Sequence, residues 1–292
     1  MRPDPADGAA LDALPSLSNS LRDAGIDARR ALGQNFLLDL NLTRRIARTT
    51  GALEGTTVVE IGPGPGGLTR GLLLEGTAHV IAIERDARFL PLLERIGAAA
   101  PGRLSVHQAD ALKIDWPDIV GDHAPVRLIA NLPYNIATEL LTGWLDAEPW
   151  PSWFETAALM FQREVADRIT AEPGDAAYGR LAVLCGWRCR AERLFDIPPD
   201  AFVPRPKVVS SVVRLTPKSV APGDPSASAL RRVTAAAFGQ RRKMLRSSLK
   251  QVFATPIDVL DQCGIAETAR AEELDRAAFL TLAKALEAQT PG

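Results

Sequence analysis

Five short apolar runs set the rhythm of this chain. Val58-Val59-Glu60-Ile61, His79-Val80-Ile81-Ala82-Ile83, Leu104-Ser105-Val106-His107, Val126-Arg127-Leu128-Ile129-Ala130 and Ala157-Ala158-Leu159-Met160-Phe161 read as strands. Four stretches of helical spacing fall among them, at Leu68–Leu74, Ala87–Ala99, Ile136–Leu145 and Glu164–Thr170. Alternation of this kind predicts an α/β fold, with a parallel sheet covered by helices on both faces. The runs are apolar almost throughout rather than at every second position, as burial on both faces requires.

Outside this block the pattern changes. Residues 1–20 are rich in Pro, Ala and Ser, which predicts a disordered or loosely attached end, with a short helix over Asn19–Ala28. Residues 29–39 read as a structured loop and Asn41–Thr50 as a helix. Val208–Leu215 is a late strand with no crossover helix after it, and Pro217–Pro225 reads as a linker. Leu230–Leu249, Ile257–Cys263 and Arg270–Leu286 are helical in pattern, so a small all-α C-terminal domain is expected.

Composition narrows the class. No run approaches the ~18–20 consecutive apolar residues of a membrane span. The start of the chain lacks the apolar core of a signal peptide, so a cytoplasmic setting is expected. Cys185, Cys189 and Cys263, with three histidines in all, make neither a disulfide framework nor a zinc site, and no metal is expected. The thiols read as small buried hydrophobes.

The overall charge is −1, but it is unevenly spread. Residues 201–250 hold eleven Lys and Arg against one acid, Asp224, which makes that segment +10 and leaves −11 on the other 242 residues. Such asymmetry points to a face built for a polyanion, with Arg205, Lys207, Arg241, Arg242, Lys243 and Arg246 as candidate contacts. A solvated basic helix with no partner is the alternative, and the polyanion reading goes ahead of it because net charge over fifty residues rarely departs this far without cause.

Gly62-x-Gly64-x-x-Gly67 follows the first strand, and Glu84 lies about twenty residues beyond it, as in a dinucleotide-binding turn. A carboxylate there can accept from both ribose hydroxyls. Two features pull away from a dinucleotide. Glu60 precedes the turn and would repel a pyrophosphate while attracting an ammonium group. Pro63 and Pro65 remove N–H groups that a phosphate would use. A nucleoside joined to an amino acid fits both, and S-adenosylmethionine is such a ligand. Asp110, after the third strand, can accept from an adenine amino group or simply cap a turn.

Asn131-Leu132-Pro133-Tyr134 closes the fourth strand. An Asn amide oxygen and a backbone carbonyl can accept both hydrogens of an exocyclic amine, and a Tyr face can stack on its ring. An ordinary turn explains the same four residues.

Taken together, Gly33-Gln34-Asn35-Phe36-Leu37, Glu60-Ile61-Gly62-Pro63-Gly64, Ala109-Asp110-Ala111-Leu112 and Asn131-Leu132-Pro133-Tyr134-Asn135 resemble the KsgA/RsmA small-subunit ribosomal RNA adenine dimethyltransferases. The resemblance continues through Phe161–Arg168, Tyr178–Leu181, Pro199–Val208 and Arg241–Leu245, and covers about residues 29 to 285. It implies a seven-stranded, mostly parallel, Rossmann-like methyltransferase domain over 29–217, a helical, rRNA-contacting domain over 218–292, and a flexible extension over 1–28. It implies dimethylation at N6 of two adjacent adenines in the 3′-terminal hairpin loop of 16S rRNA, within an immature 30S subunit, and a link to kasugamycin. S-adenosylmethionine is the implied methyl source and S-adenosylhomocysteine the product. By resemblance Asn35, Leu37, Gly62, Glu84, Asp110 and Asn131 hold the donor; Glu60 and Gly64 join them on the reading above. Asn131, Leu132, Pro133 and Tyr134 are the expected catalytic loop. The protein is expected to act as a monomer.

Rival readings remain at this point. A 23S rRNA adenine methyltransferase shares the architecture but usually has Ile where Leu132 stands, and DNA adenine methyltransferases usually show two prolines in the loop. The turn around Glu60 disfavours a nicotinamide oxidoreductase. A ribosome-assembly factor that has kept the fold without turnover is the non-enzyme alternative.

Overall fold

The computed structural model describes residues 5–26, 35–123, 126–150, 153–219, 221–240 and 242–289. Among the described residues nine strands run in chain order: β1 Phe36–Leu37, β2 Thr57–Ile61, β3 His79–Glu84, β4 Leu104–Gln108, β5 Val126–Ala130, β6 Phe154–Gln162, β7 Cys189–Ile197, β8 Phe202–Val203 and β9 Ser210–Pro217. Seven of them form one sheet in the order β4-β3-β2-β5-β6-β9-β7. Pairings from β4 through β6 are parallel, and β9 returns antiparallel to β6. β1 and β8 make a separate two-stranded ribbon, with Phe36 opposite Val203 and Leu37 opposite Phe202.

The parallel strands are apolar because helices cover them. Val58, Val80, Leu128, Ile129 and Ala158 are fully buried. α3 Leu40–Ala47, α4 Gly67–Leu74 and α5 Leu90–Ala99 supply much of that cover, through Ile46, Leu68, Leu72, Leu93 and Ile96. Strand order reverses between β2 and β5. The carboxyl ends of strands flanking such a reversal open a crevice, and that is where a ligand is held in sheets of this kind.

The structure corrects one expectation and adds two elements that the sequence pattern does not predict. Residues near the N-terminus form helices, α1 Pro5–Ala13 and α2 Leu17–Asp23, rather than a flexible tail. Leu11, Leu17 and Leu21 are buried, and the buried Arg70 guanidinium on α4 donates to the carbonyls of Asp12, Leu14 and Pro15. Three leucines at i, i+6 and i+10 carry too little periodicity to show this; tertiary contact supplies the order. β7 and the helix before it, Arg180–Arg188, were not anticipated either. β7 reads Cys-Arg-Ala-Glu-Arg-Leu-Phe-Asp-Ile, and it lies at the sheet edge, where charged side chains are tolerated.

The chain divides into two compact units. The first comprises Met1–Leu140, Trp153–Ala166 and Glu192–Thr216, and the second Leu141–Ser152, Asp167–Ala191 and Pro217–Gly292. The second unit is therefore broader than the stretch after 217. Its late helices, Ala227–Gly239 and Arg276–Gln289, pack on each other and on Arg180–Arg188. Tyr178, fully buried, donates its hydroxyl to the Leu274 carbonyl at 2.9 Å and meets the Phe238 ring edge-on. Cys185 and Cys189 are buried there, and burial pushes both thiols up, Cys189 to about 12.

Candidate active site

A cavity of about 430 Å³ opens at the carboxyl ends of β2, β3, β4 and β5, wholly within the first unit. Its size suits a small organic ligand. Gly62, Gly64 and Gly66 all hold positive φ, at 67°, 54° and 85°, which only glycine adopts without strain. Gly67 opens α4, and a Cβ there would stand 2.3 Å from the Leu37 carbonyl oxygen. Leu37 thus packs behind the turn and does not line the cavity.

Glu84 ends β3 and is held from two sides. Its Oε2 accepts from the Gly64 amide at 2.9 Å and its Oε1 from the Asp86 amide at 2.7 Å. Each oxygen keeps a second lone pair for a ligand hydroxyl. Burial pushes this carboxyl up, while the two amide bonds pull the other way. Asp110, after β4, accepts from the Leu112 amide at 3.2 Å, and the exposed Arg85 stands 3.6 Å from its other oxygen. The cap and the ligand contact are compatible, because Asp110 lines the cavity while one oxygen caps the turn.

Glu60 sits elsewhere. It is 1% exposed, is not part of the cavity wall, and accepts from the Thr69 hydroxyl on α4 at 2.6 Å. Burial pushes its carboxyl up to about 8, with Glu84 adding in the same direction against the Thr69 bond.

Asn131 follows β5. Its Nδ2 donates to the Asn35 carbonyl at 2.8 Å, which leaves Oδ1 as the amide's acceptor. The Pro133 carbonyl accepts from the Ile136 and Ala137 amides, both at 3.1 Å, at the start of the next helix. Tyr134 lines the cavity, and its hydroxyl lies 2.5 Å from Ser210 Oγ on β9. Burial raises the phenol.

Asn35, Gly62, Gly64, Glu84, Asp110, Asn131, Leu132, Pro133 and Tyr134 therefore share one cavity. Residues the sequence did not single out complete it. Phe36 and Phe89 meet edge-on with centroids 5.3 Å apart, and Arg88 pairs with Asp86 at the rim. Phe36 lies inside the Gly33–Leu37 segment and Asp86 two residues past Glu84, and only contact across the fold brings both to the cavity.

The basic residues are distributed over both units. Arg205 pairs with Asp200 at 2.7 Å, Arg246 with Glu267 at 3.2 Å, and Arg231 with Asp146. Lys207, Arg242 and Lys243 are exposed, and Arg241 lies outside the described residues, as do Gly33 and Gln34.

Solved structures share this architecture. A dimethyladenosine transferase from Plasmodium falciparum superposes with a TM-score of 0.70 at 25% identity, covering 84% of this chain and 94% of that one. The 23S rRNA methyltransferase ErmE gives 0.64 at 26% identity, covering 87% of this chain and all of that one. The fold and its crevice are those of a Rossmann-like, S-adenosylmethionine-dependent methyltransferase. The family model described as ribosomal RNA adenine dimethylase matches residues 25–288, and the chain belongs to that family. Among its relatives, a ribosomal RNA small subunit methyltransferase A from Methylobacterium radiotolerans is 60% identical over 94% of each chain. One from Azorhizobium caulinodans is 58% identical, over 95% of this chain and 94% of its own.

Proposed function

We propose that this protein transfers methyl groups from S-adenosylmethionine to N6 of two adjacent adenines in the 3′-terminal hairpin loop of 16S rRNA, dimethylating each, as the 30S subunit matures. The observation that carries the reading is the Asn131 amide. Its nitrogen is committed to Asn35, so its oxygen is presented as an acceptor in the cavity that also holds Glu84 and Asp110. Identities of 60% and 58%, over nearly the whole of both chains, with relatives named for the small subunit support that subunit as the substrate.

The residues present suit the donor. Glu84 is oriented for the ribose hydroxyls, Asp110 for the adenine amine, and apolar Phe36, Ile61, Ile83 and Phe89 for the ring faces. Bound there, S-adenosylmethionine supplies a methyl group on a sulfonium, already a strong electrophile. The protein's own task is to prepare the nucleophile. An adenine N6 lone pair is conjugated into the ring. Asn131 Oδ1 and the Leu132 carbonyl accept its two hydrogens and draw the nitrogen toward tetrahedral geometry. Leu132 serves because the Pro133 carbonyl is already engaged by the following helix. Tyr134 stacks on the base, its ring orientation set by Ser210, and such stacking contributes ~1–3 kcal/mol. Orientation carries the rate effect, and no general base is needed, since the proton leaves a nitrogen made acidic by alkylation. An adenine in a loop is cheaper to splay out than one in a duplex.

The test is to supply labelled S-adenosylmethionine with 30S precursors, 50S precursors and DNA in separate reactions, and map the labelled base. Label on the paired loop adenines of 16S rRNA is expected. Label confined to 23S rRNA or DNA would overturn the assignment. No label on any substrate would favour an assembly factor without turnover.

A further inference from the structure

The matched family model starts at residue 25, yet part of the chain before it packs against residues that line the cavity. Arg70 on α4 is 4% exposed. Its Nη1 donates to the Pro15 carbonyl at 3.0 Å, and its Nη2 to Leu14 at 3.2 Å and Asp12 at 3.3 Å. These carbonyls belong to the end of α1 and the turn into α2, where backbone acceptors have no helical partner. A buried guanidinium satisfies them together. α4 is the helix that opens at Gly67, directly after the glycine-rich turn.

Two further contacts lead from the arm to the cavity. Leu17 Cδ1 lies 3.0 Å from where a Gly67 Cβ would sit, so α2 reaches the backbone at the foot of the turn. Leu21 joins Phe36, Phe89 and Leu92 in one buried cluster, with Ile26 packed against it. Phe36 and Phe89 line the cavity, and Phe36 Cε1 stands 2.7 Å from where a Gly64 Cβ would sit. The same two rings thus line the cavity and share a buried cluster with Leu21 of the arm. α2 is itself well closed. Ser16 caps its start by accepting from the Asn19 amide, and the Gly25 and Ile26 amides close its end on the Arg22 and Leu21 carbonyls.

We propose that the α1–α2 arm is a positioning element of the donor site, holding the glycine-rich turn through Arg70 and the Phe36–Phe89 wall through Leu21. The proposal rests on the donor-site reading above. Because coupling between two events is reciprocal, a ligand that needs this wall ordered also favours the docked arm.

Full-length protein carrying Leu21→Ala, Arg70→Gln or Arg70→Lys tests this. S-adenosylhomocysteine affinity is measured by calorimetry, without RNA. Leu21→Ala and Arg70→Gln are expected to weaken it about tenfold, with Arg70→Lys recovering part of the loss. In turnover, KM for the donor rises while kcat at saturating donor stays within about twofold and KM for RNA is unmoved. A second measurement needs no variant. Amide hydrogen exchange over residues 8–26 of the wild-type protein slows when S-adenosylhomocysteine is added. Unchanged affinity in the variants, or arm exchange indifferent to the ligand, overturns the proposal while leaving the donor site intact. Failure of the wild-type protein to bind S-adenosylhomocysteine overturns the donor-site reading and the proposal with it.

Discussion

Asn131 Nδ2 donates to the backbone carbonyl of Asn35 at 2.8 Å across 96 positions of sequence. That bond ties the segment entering β1 to the loop leaving β5, and it settles which end of the Asn131 amide is presented as an acceptor. A side chain that had to choose between two orientations would present the acceptor only part of the time.

Asn131→Ala removes the acceptor and the tie to Asn35 together. Methyl transfer is expected to fall by about 10²–10³, the usual loss when one oriented polar group is removed from a transition state. Donor affinity, measured by calorimetry, is expected to fall less than about tenfold, because Glu84 and Asp110 remain. Near-normal transfer in single-turnover assays would show that Asn131 does not hold the target amine.

Tyr134 and Ser210 form a pair inside the protein, and Ser210 is fully buried. Tyr134→Phe or Ser210→Ala alone leaves one hydroxyl without its partner, at a cost of about 1–3 kcal/mol. The double variant is expected to recover part of this, giving a coupling of about 1 kcal/mol in denaturant titrations. Additive losses would mean that the short contact contributes nothing specific to ring placement.

Glu60 makes stability depend on pH. Its carboxyl is pushed from an ordinary 4.5 up to about 8 by burial. Between those values the folded protein holds a proton that the unfolded chain has released, so stability falls as pH rises through that interval. Glu60→Gln removes the titrating group and keeps an oxygen to accept from Thr69. The variant's Tm, followed calorimetrically from pH 5 to 8, is expected to decline less steeply than the wild type's. Some slope persists, because burial also raises Glu84. Parallel curves would place Glu60's ionisation outside the folding equilibrium.

Arg242 and Lys243 are exposed, whereas Arg205 and Arg246 are held in ion pairs with Asp200 and Glu267. If the exposed pair meets RNA phosphates, the Arg242→Gln, Lys243→Gln variant loses about 1.4–1.8 from the slope of log binding constant against log salt. Filter binding of 30S precursors across salt concentrations measures it. An unchanged slope would leave these side chains as solvated surface.

Much of this protein was legible because its chemistry falls at the ends of strands. Apolar runs of four or five residues gave β2 to β6, and the residue after each run is where a doubly wound sheet presents ligand groups. Glu84 and Asn131 directly follow their runs, Asp110 lies three residues past His107, and all three line the cavity. Glu60, two residues before the turn, belongs by position to the same set. The structure instead turns it into the protein, onto Thr69, because a strand's side chains alternate and position alone does not say which side meets the ligand.

What escaped the sequence was carried by contacts between distant residues. α1 and α2 are short and weakly patterned, and their order comes from Arg70 and from the apolar surface of α4 and α5. β7 carries charges that an edge position tolerates. Local pattern suffices for strands β2 to β6, the glycine turn and the polar groups beside it, since backbone conformation and burial pattern are local properties. Which end of the Asn131 amide is left to accept, what the Tyr134 hydroxyl meets, and how Leu11, Leu17 and Leu21 come to be buried follow from tertiary contacts alone. Each of those depends on which partner a polar or apolar group meets across the fold, and no local pattern encodes that.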